Sequence, residues 1–237
     1  MPLQAVEPQR LYRQIADQLR TLIQSGEFVA GSRLPAERDL AKQLGVSRPS
    51  VREALIALEV EGWVEVRTGS GVYVLDRALH QTAEHKPITT EWGPLELIRA
   101  RRVVEGEIAA IAALQAKRKH LDAMRQALAD MTRDASAGVL PLEGDRAFHS
   151  AIVECTGNVV LMETVHSFWD SRRGPLFTRL GGYFETVQSW HSAIAEHTTI
   201  LDAIAAHDGP AARAAMHIHM DKSHHRFSAS WRRAKAA

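Results

Sequence analysis

Leu34-Pro35-Ala36-Glu37-Arg38-Asp39-Leu40-Ala41-Lys42-Gln43-Leu44-Gly45-Val46-Ser47-Arg48-Pro49-Ser50-Val51-Arg52-Glu53-Ala54-Leu55 reads as two helices joined by one tight turn. Pro35 fits a first helical turn, where its missing N–H costs no intrahelical bond, and Glu37 favours the positive end of that helix. Leu40, Ala41 and Leu44 form its apolar stripe, and Gly45 stops it. Ser47 then suits an N-cap, and Val51, Ala54, Leu55 and Leu58 recur at helical spacing until Gly62. A short helix, a sharp joint and a second amphipathic helix make a helix-turn-helix.

Working outward, Leu11, Ile15, Leu19, Leu22 and Ile23 predict a preceding helix that ends at Ser25-Gly26. On the other side, Trp63 to Arg67 and Val72 to Leu75 are rich in strand formers and are separated by Thr68-Gly69-Ser70-Gly71, which tolerates positive φ. Three helices followed by a hairpin predict a winged helix-turn-helix over residues 1–76. Residues 77–91 lose periodicity, contain Pro87 and read as a linker. From Trp92 onward every pattern is helical: about 93–115, 118–136, 142–156, 158–171, 186–207 and 209–228, with a short helical turn near 175–180. The expected fold class is therefore mainly α, a winged helix-turn-helix followed by an all-α bundle over 92–230.

Composition limits what such a chain can be. At 237 residues with 45% hydrophobic content it can build real cores. No stretch approaches the roughly 18 consecutive apolar residues of a membrane span. The start, Met1-Pro2-Leu3-Gln4, lacks the basic and apolar segments of a signal peptide, so a cytoplasmic protein with no membrane partner is expected. The single Cys155 excludes an intrachain disulfide and reads as a small buried hydrophobe. The formal charge of +1 hides a basic edge: Arg33, Arg38, Lys42, Arg48 and Arg52 face only Glu37 and Asp39 within residues 33–52.

Those basic residues fall where a helix-turn-helix touches DNA. Arg48 and Arg52, at i and i+4, are expected to project together from the recognition helix, opposite Val51, Leu55 and Leu58. A guanidinium can bridge guanine O6 and N7, whereas residues outside the groove grip phosphates. Ser50 belongs on the same side, Arg38 approaches the backbone, and Gly69 at the wing tip lets main-chain N–H groups come close. An i,i+4 arginine pair on an isolated helix is most often a solvated face; the surrounding motif is what makes it a DNA reader.

Ten of the twelve histidines lie beyond residue 115. Asp145 and His149 sit at i and i+4 on one helix, His197 borders the ladder Ile200, Leu201 and Ile204, and His219 lies between Met216 and Met220. Spacing leaves two readings open: an exposed ion pair with ordinary histidines elsewhere, or an Asp/His site for a divalent ion drawn from three helices, suited to Zn, with Ni or Mn next.

Taken together, Leu34-Pro35-Ala36-Glu37-Arg38, Leu44-Gly45-Val46-Ser47-Arg48, Val51-Arg52-Glu53-Ala54-Leu55 and Gly69-Ser70-Gly71-Val72-Tyr73-Val74 closely resemble the GntR family. The resemblance implies that Arg38, Arg48, Arg52 and Gly69 contact a short palindromic operator; Pro49 stands where relatives often have Thr. The second half is similar to the all-helical FCD domain of the FadR-like branch. The matching segments are Arg101-x-x-x-Glu105, Asp145-x-x-Phe148-His149, Glu196-His197-x-x-Ile200 and Ala215-Met216-x-x-His219. It implies that Asp145, His149, His197 and His219 hold a divalent metal, with His219 rather than the neighbouring His217 as ligand. It also implies a cavity for an organic acid beside that ion.

Arg101, Arg102, Arg172 and Arg173 are the candidate partners for the acid, although Arg101 can equally pair with Glu105 on its own helix. The segment Trp169-Asp170-Ser171-Arg172-Arg173-Gly174-Pro175 is similar to hexuronate-responsive regulators of the branch, which implies a sugar acid. The resulting expectation is a homodimeric, effector-responsive transcription regulator, a repressor by family habit, and not an enzyme. Two alternatives stand beside it. One is an effector-independent DNA-binding protein with a structural metal. The other is a metal-dependent hydrolase fused to a DNA-binding module, which lacks a His-Glu-x-x-His motif and any nucleophile signature.

Overall fold

A computed structural model describes residues 10–76 and 92–229, so the expected linker at 77–91 and the C-terminal tail lie outside the described residues. The chain divides into two compact units: one reaches to Pro94 and includes Pro175–Leu180, the other comprises Leu95–Gly174 and the chain from Gly181.

The first unit contains α1 (Leu11–Gln24), α2 (Glu37–Leu44), α3 (Arg48–Val60), β1 (Val64–Arg67) and β2 (Gly71–Val74). Helix α2 starts two residues after Pro35, with Ala36 as its N-cap, and ends on Gly45 at φ 65. Ser47 caps α3 by accepting from the Ser50 N–H at 3.2 Å. Tyr12, Ile15, Ala16 and Leu19 of α1 are buried along with Leu40 of α2 and with Val51, Leu55 and Leu58 of α3, a face about 1.5–3 kcal/mol per large side chain more stable buried than exposed. Arg13 of α1 forms a buried ion pair with Glu61, the residue that ends α3, and also binds Asp17 at 2.7 Å.

The wing is an antiparallel hairpin with Val64 opposite Val74 and Arg67 opposite Gly71. A short extended segment before α2 adds to its free edge: Arg33 bridges Tyr73, and the Leu34 N–H donates to the Val72 carbonyl at 2.8 Å. No period-2 run marks this segment, because so short a stretch has none to show. Gly71 is required at this edge, since a Cβ would stand 2.4 Å from Arg33 Nε on a backbone at φ 134.

The second unit is helical: α4 (Pro94–Gln115), α5 (Arg118–Ser136), α6 (Leu142–Glu154), α7 (Val159–Arg172), α9 (Val187–Ala205) and α10 (Gly209–Ser228). Between α7 and α9 lies α8 (Pro175–Phe184), whose first turns belong to the first unit. Helix α5 packs on α6 and α9, α9 on α10, and α6 on α7. Asn158, Thr186 and Asp208 cap α7, α9 and α10 by accepting from backbone N–H groups at the start of each helix. Helix α8 outruns the expected turn at 175–180. It continues through Gly181-Gly182 because Leu176, Phe177, Leu180, Tyr183 and Phe184 form one buried helical face, which outweighs the roughly 1 kcal/mol each glycine costs. No helix among the described residues is long and apolar enough to cross a membrane.

Candidate metal centre and nucleic-acid interface

Asp145 and His149 from α6, His197 from α9 and His219 from α10 are all buried, and one ligand atom from each lies within 4.8 Å of the others. The i,i+4 spacing on α6 turns its pair to one side, and the packing of α9 on α10 brings the other two histidines together. Each imidazole is fixed by an acceptor on Nδ1: His149 by the Glu105 carboxylate of α4, His197 by the Ala193 carbonyl at 2.6 Å, His219 by Glu196 Oε2 at 2.8 Å. With Nδ1 carrying the proton, each Nε2 presents a lone pair.

Those lone pairs converge. Nε2 of His149 and of His197 stand 3.2 Å apart. Asp145 Oδ1 lies 3.0 Å from His197 Nε2 and 3.5 Å from His149 Nε2, yet it is buried and accepts no hydrogen bond from a described residue. A buried carboxylate oxygen left unsatisfied amid imidazole lone pairs is the donor set a divalent cation completes, so these residues fit a metal ion.

The electrostatics prepare the ligands. Burial pushes His219 well below its ordinary pKa, and His197 and His149 reinforce the shift, so the ring stays neutral. Burial alone would raise Asp145, but Arg172 foremost holds its carboxyl well below the usual range. Burial likewise opposes ionisation of Glu105, and Arg101 and His149 overcome it to bring that pKa to about 2.

Beside the four ligands is a recess lined by Arg101, Arg172, Ser189, Trp190, Ser223 and Arg226, with a free volume of about 20 Å³, room for a single water. Arg172 is one of its walls. Its guanidinium donates to Asp145 Oδ2 at 2.5 Å and to Glu185 Oε1 at 2.7 Å, and it lies 5.0 Å from the Trp169 ring and 5.6 Å from that of Trp190. Arg101 stacks 4.5 Å over Trp169 and donates to Glu105 at 2.5 Å, so it pairs on its own helix while lining the recess. The indole N–H groups of Trp169 and Trp190 are buried and find no acceptor among the described residues. A more open groove of about 520 Å³, lined by Glu196 among others, shares Ser189 and Arg226 with the recess.

The other two candidate arginines are not brought there. Arg102, a further 100° around the helix from Arg101, pairs with Asp221 at 2.7 Å, and Arg173 pairs with exposed Glu143 at 2.9 Å. His217 packs against Gly106 and is not among the converging ligands. Glu105, Glu196, Glu185, Trp169, Trp190 and Arg226 went unassigned from the sequence as site residues. Their partners sit on other helices, and only the Arg101-x-x-x-Glu105 and Glu196-His197 segments hinted at two of them.

On the first unit, Arg38 is 83% exposed beside Asp39, and Arg48 is 52% exposed with Nε 3.0 Å from Glu37 Oε1. Ser50 shares a 2.8 Å hydrogen bond with Ser47, and Gly69 is exposed at the wing tip with φ 78. Arg52 departs from the expected exposed face. It is 0% exposed and donates to both oxygens of Glu37, at 2.8 and 2.9 Å. The reason is that α2 packs against α3 and delivers Glu37 over this turn, so the second guanidinium is enclosed where the first is not. Burial lowers the Arg52 pKa, with Glu37 opposing. One carboxylate thus holds both arginines.

Comparison with known proteins gives two domain matches. Residues 11–74 match the bacterial regulatory proteins of the gntR family, and residues 96–222 match the FCD domain. The Uxu operon transcriptional regulator of Escherichia coli K12 is 38% identical over 92% of this chain and 86% of its own length. The Exu regulon transcriptional regulator of the same strain is 35% identical over 93% and 86%. The HTH-type transcriptional regulator LutR of Bacillus subtilis is 31% identical over 84% and 93%. A solved structure of Lar, which controls the Listeria monocytogenes agr system, is 18% identical, covers 94% of this chain and 98% of its own, and has a TM-score of 0.50, a likeness of fold.

Proposed function

Because the chain belongs to the gntR family of bacterial regulatory proteins and carries an FCD domain, we propose that it is a dimeric repressor whose grip on a palindromic operator is set by a sugar acid bound beside a divalent metal. The family and its relatives are transcription regulators, not enzymes. The observation that carries the effector reading is the buried convergence of Asp145, His149, His197 and His219 next to a recess holding Arg101 and Arg172.

Asp145, His149, His197 and His219 would hold the ion, Zn first and Ni or Mn next, and the cation when bound supplies a Lewis-acid contact for a carboxylate oxygen. The rest falls to the chain. Arg172 and Arg101 offer guanidinium forks for the acid, and the unpartnered Trp169 and Trp190 N–H groups offer donors for further oxygens. Four donors of this kind suit a polyhydroxylated acid, and the relatives named for the Uxu operon and the Exu regulon support a hexuronate.

We assign operator contact to Arg48, Arg38, Ser50 and the wing tip at Gly69, with Arg52 orienting Glu37 behind Arg48. In a twofold dimer each recognition helix meets one half-site, and an effector that prefers the DNA-incompetent arrangement releases the operator.

The test is thermal stability of the zinc-loaded chain with D-glucuronate, D-galacturonate, L-lactate and a fatty acyl compound, repeated after chelation, together with operator affinity at fixed salt. A uronate-specific, metal-dependent rise in melting temperature and a matching loss of operator affinity is the expected result. Metal-dependent stability with no acid response would assign the ion a structural role and remove the effector.

A further inference from the structure

Helix α8 is shared between the two units, and each of its ends holds an ion pair within one unit. In the first unit, Arg179 Nε and Nη2 reach the two oxygens of Glu59 at 2.8 and 2.7 Å. Glu59 lies near the end of recognition helix α3, is only 5% exposed, and accepts from the backbone N–H of Val66 in β1 at 2.9 Å. One carboxylate therefore ties α3 to the first wing strand, and Arg179 supplies it with a bidentate guanidinium. Removing one partner of such a buried, hydrogen-bonded group leaves the other poorly compensated.

In the second unit, Glu185, the residue that ends α8, accepts from Arg172, and Arg172 in turn donates to the ligand Asp145. Gly181 lets this end fold tightly: a Cβ there would stand 2.8 Å from Glu185 Oε2. What joins the two ion pairs is the continuous backbone of α8.

We propose that Arg179 is a positioning residue of the DNA-reading unit: through Glu59 it sets how α3 meets β1, and it passes to them any change in the Arg172–Glu185 clasp at the metal site. This rests on the proposed effector function only for the identity of the ligand that draws Arg172 away. A carboxylate competing for that guanidinium releases Glu185, the end of α8 shifts, and Arg179 pulls on Glu59.

Backbone hydrogen exchange on the full chain tests this without knowing the effector. Arg172→Gln is expected to speed exchange in residues 175–184 and also in 56–66. In an Arg179→Ala background the effect of Arg172→Gln on 175–184 persists, whereas its further effect on 56–66 disappears. Arg179→Lys, which keeps the charge and loses the fork, gives an intermediate response, and zinc affinity stays unchanged in both Arg179 variants. If Arg172→Gln does not fold, chelating the wild-type zinc form supplies the perturbation. An unmoved 56–66, or a response there that ignores Arg179, overturns the proposal. D-glucuronate and D-galacturonate provide the separate arm. Failure of both to bind alongside the expected exchange pattern removes the effector reading and leaves the relay, and uronate binding with an Arg179-independent response does the reverse.

Discussion

Nε2 of His149 and Nε2 of His197 face each other at 3.2 Å in a closed interior, and the Nδ1 of each is already engaged by an acceptor. Two imidazole lone pairs hold that distance only around a cation, a proton on His149 or a metal ion. Burial opposes charge on His149, and Glu105 outweighs it, so its pKa is raised and a proton would compete with a metal ion at the same place. The carboxylates that orient these rings then matter nearly as much as the rings. Glu196→Gln is expected to weaken zinc binding about 10–100-fold, and His219→Ala more than that. Competition against a chromophoric chelator measures both. An unchanged affinity in Glu196→Gln would show that Glu196 does not orient His219.

Arg48 and Arg52 share Glu37 but should fail differently when removed. Arg48→Ala is expected to cost about 1–3 kcal/mol against the operator and much less against random duplex. Arg52→Ala strips a bidentate partner from a buried carboxylate and should lower folding stability by about 3–5 kcal/mol. Operator titration and urea unfolding separate the two effects. Full stability in Arg52→Ala with lost specificity would mean that Arg52 leaves its enclosure to read bases.

Cys155 is buried, and burial pushes its thiol pKa up to about 11. At pH 8 it should be protonated and enclosed, so a disulfide reagent labels the native chain slowly and the urea-unfolded chain fast. Equal rates in the two states would mean that α6 opens readily at its end.

Gly144 lets α6 approach α5. A Cβ there would lie 2.6 Å from Met131 Cγ and 3.2 Å from the Ala127 carbonyl, and Met131 is fully buried beside Trp190 and Ala193. Gly144→Ala is expected to destabilise the chain by about 1–3 kcal/mol in denaturant unfolding. Because Asp145 is the next residue, zinc affinity should fall with it. Wild-type stability would show that Met131 can move aside.

The elements that were legible in the sequence are those with local punctuation. Gly45, Ser47, Gly62, Asn158 and Asp208 mark ends that a cap or a positive φ enforces, so helices such as 118–136 and 209–228 appear where the pattern puts them. What was illegible depends on a partner elsewhere in the chain. The edge segment at Arg33 exists because β2 is there to pair with it. Arg52 looks as free as Arg48 until α2 is laid over it. The four ligands came from resemblance more than spacing, because α6, α9 and α10 meet only in three dimensions. Trp190 carried no local signal as a pocket wall, since an apolar face looks the same whether it meets a core or a ligand.

The recess that Arg172 lines would also fix how the proposed effector arrives. A space of about 20 Å³ does not admit a molecule the size of a hexuronate. Before docking, the arginine must leave its clasp between Asp145 and Glu185. Entry is then a two-step event whose observed rate climbs with effector concentration and levels off at the speed of that opening. Under the proposed function, such a regulator would respond at a pace set by its own side chain, however abundant the sugar acid becomes.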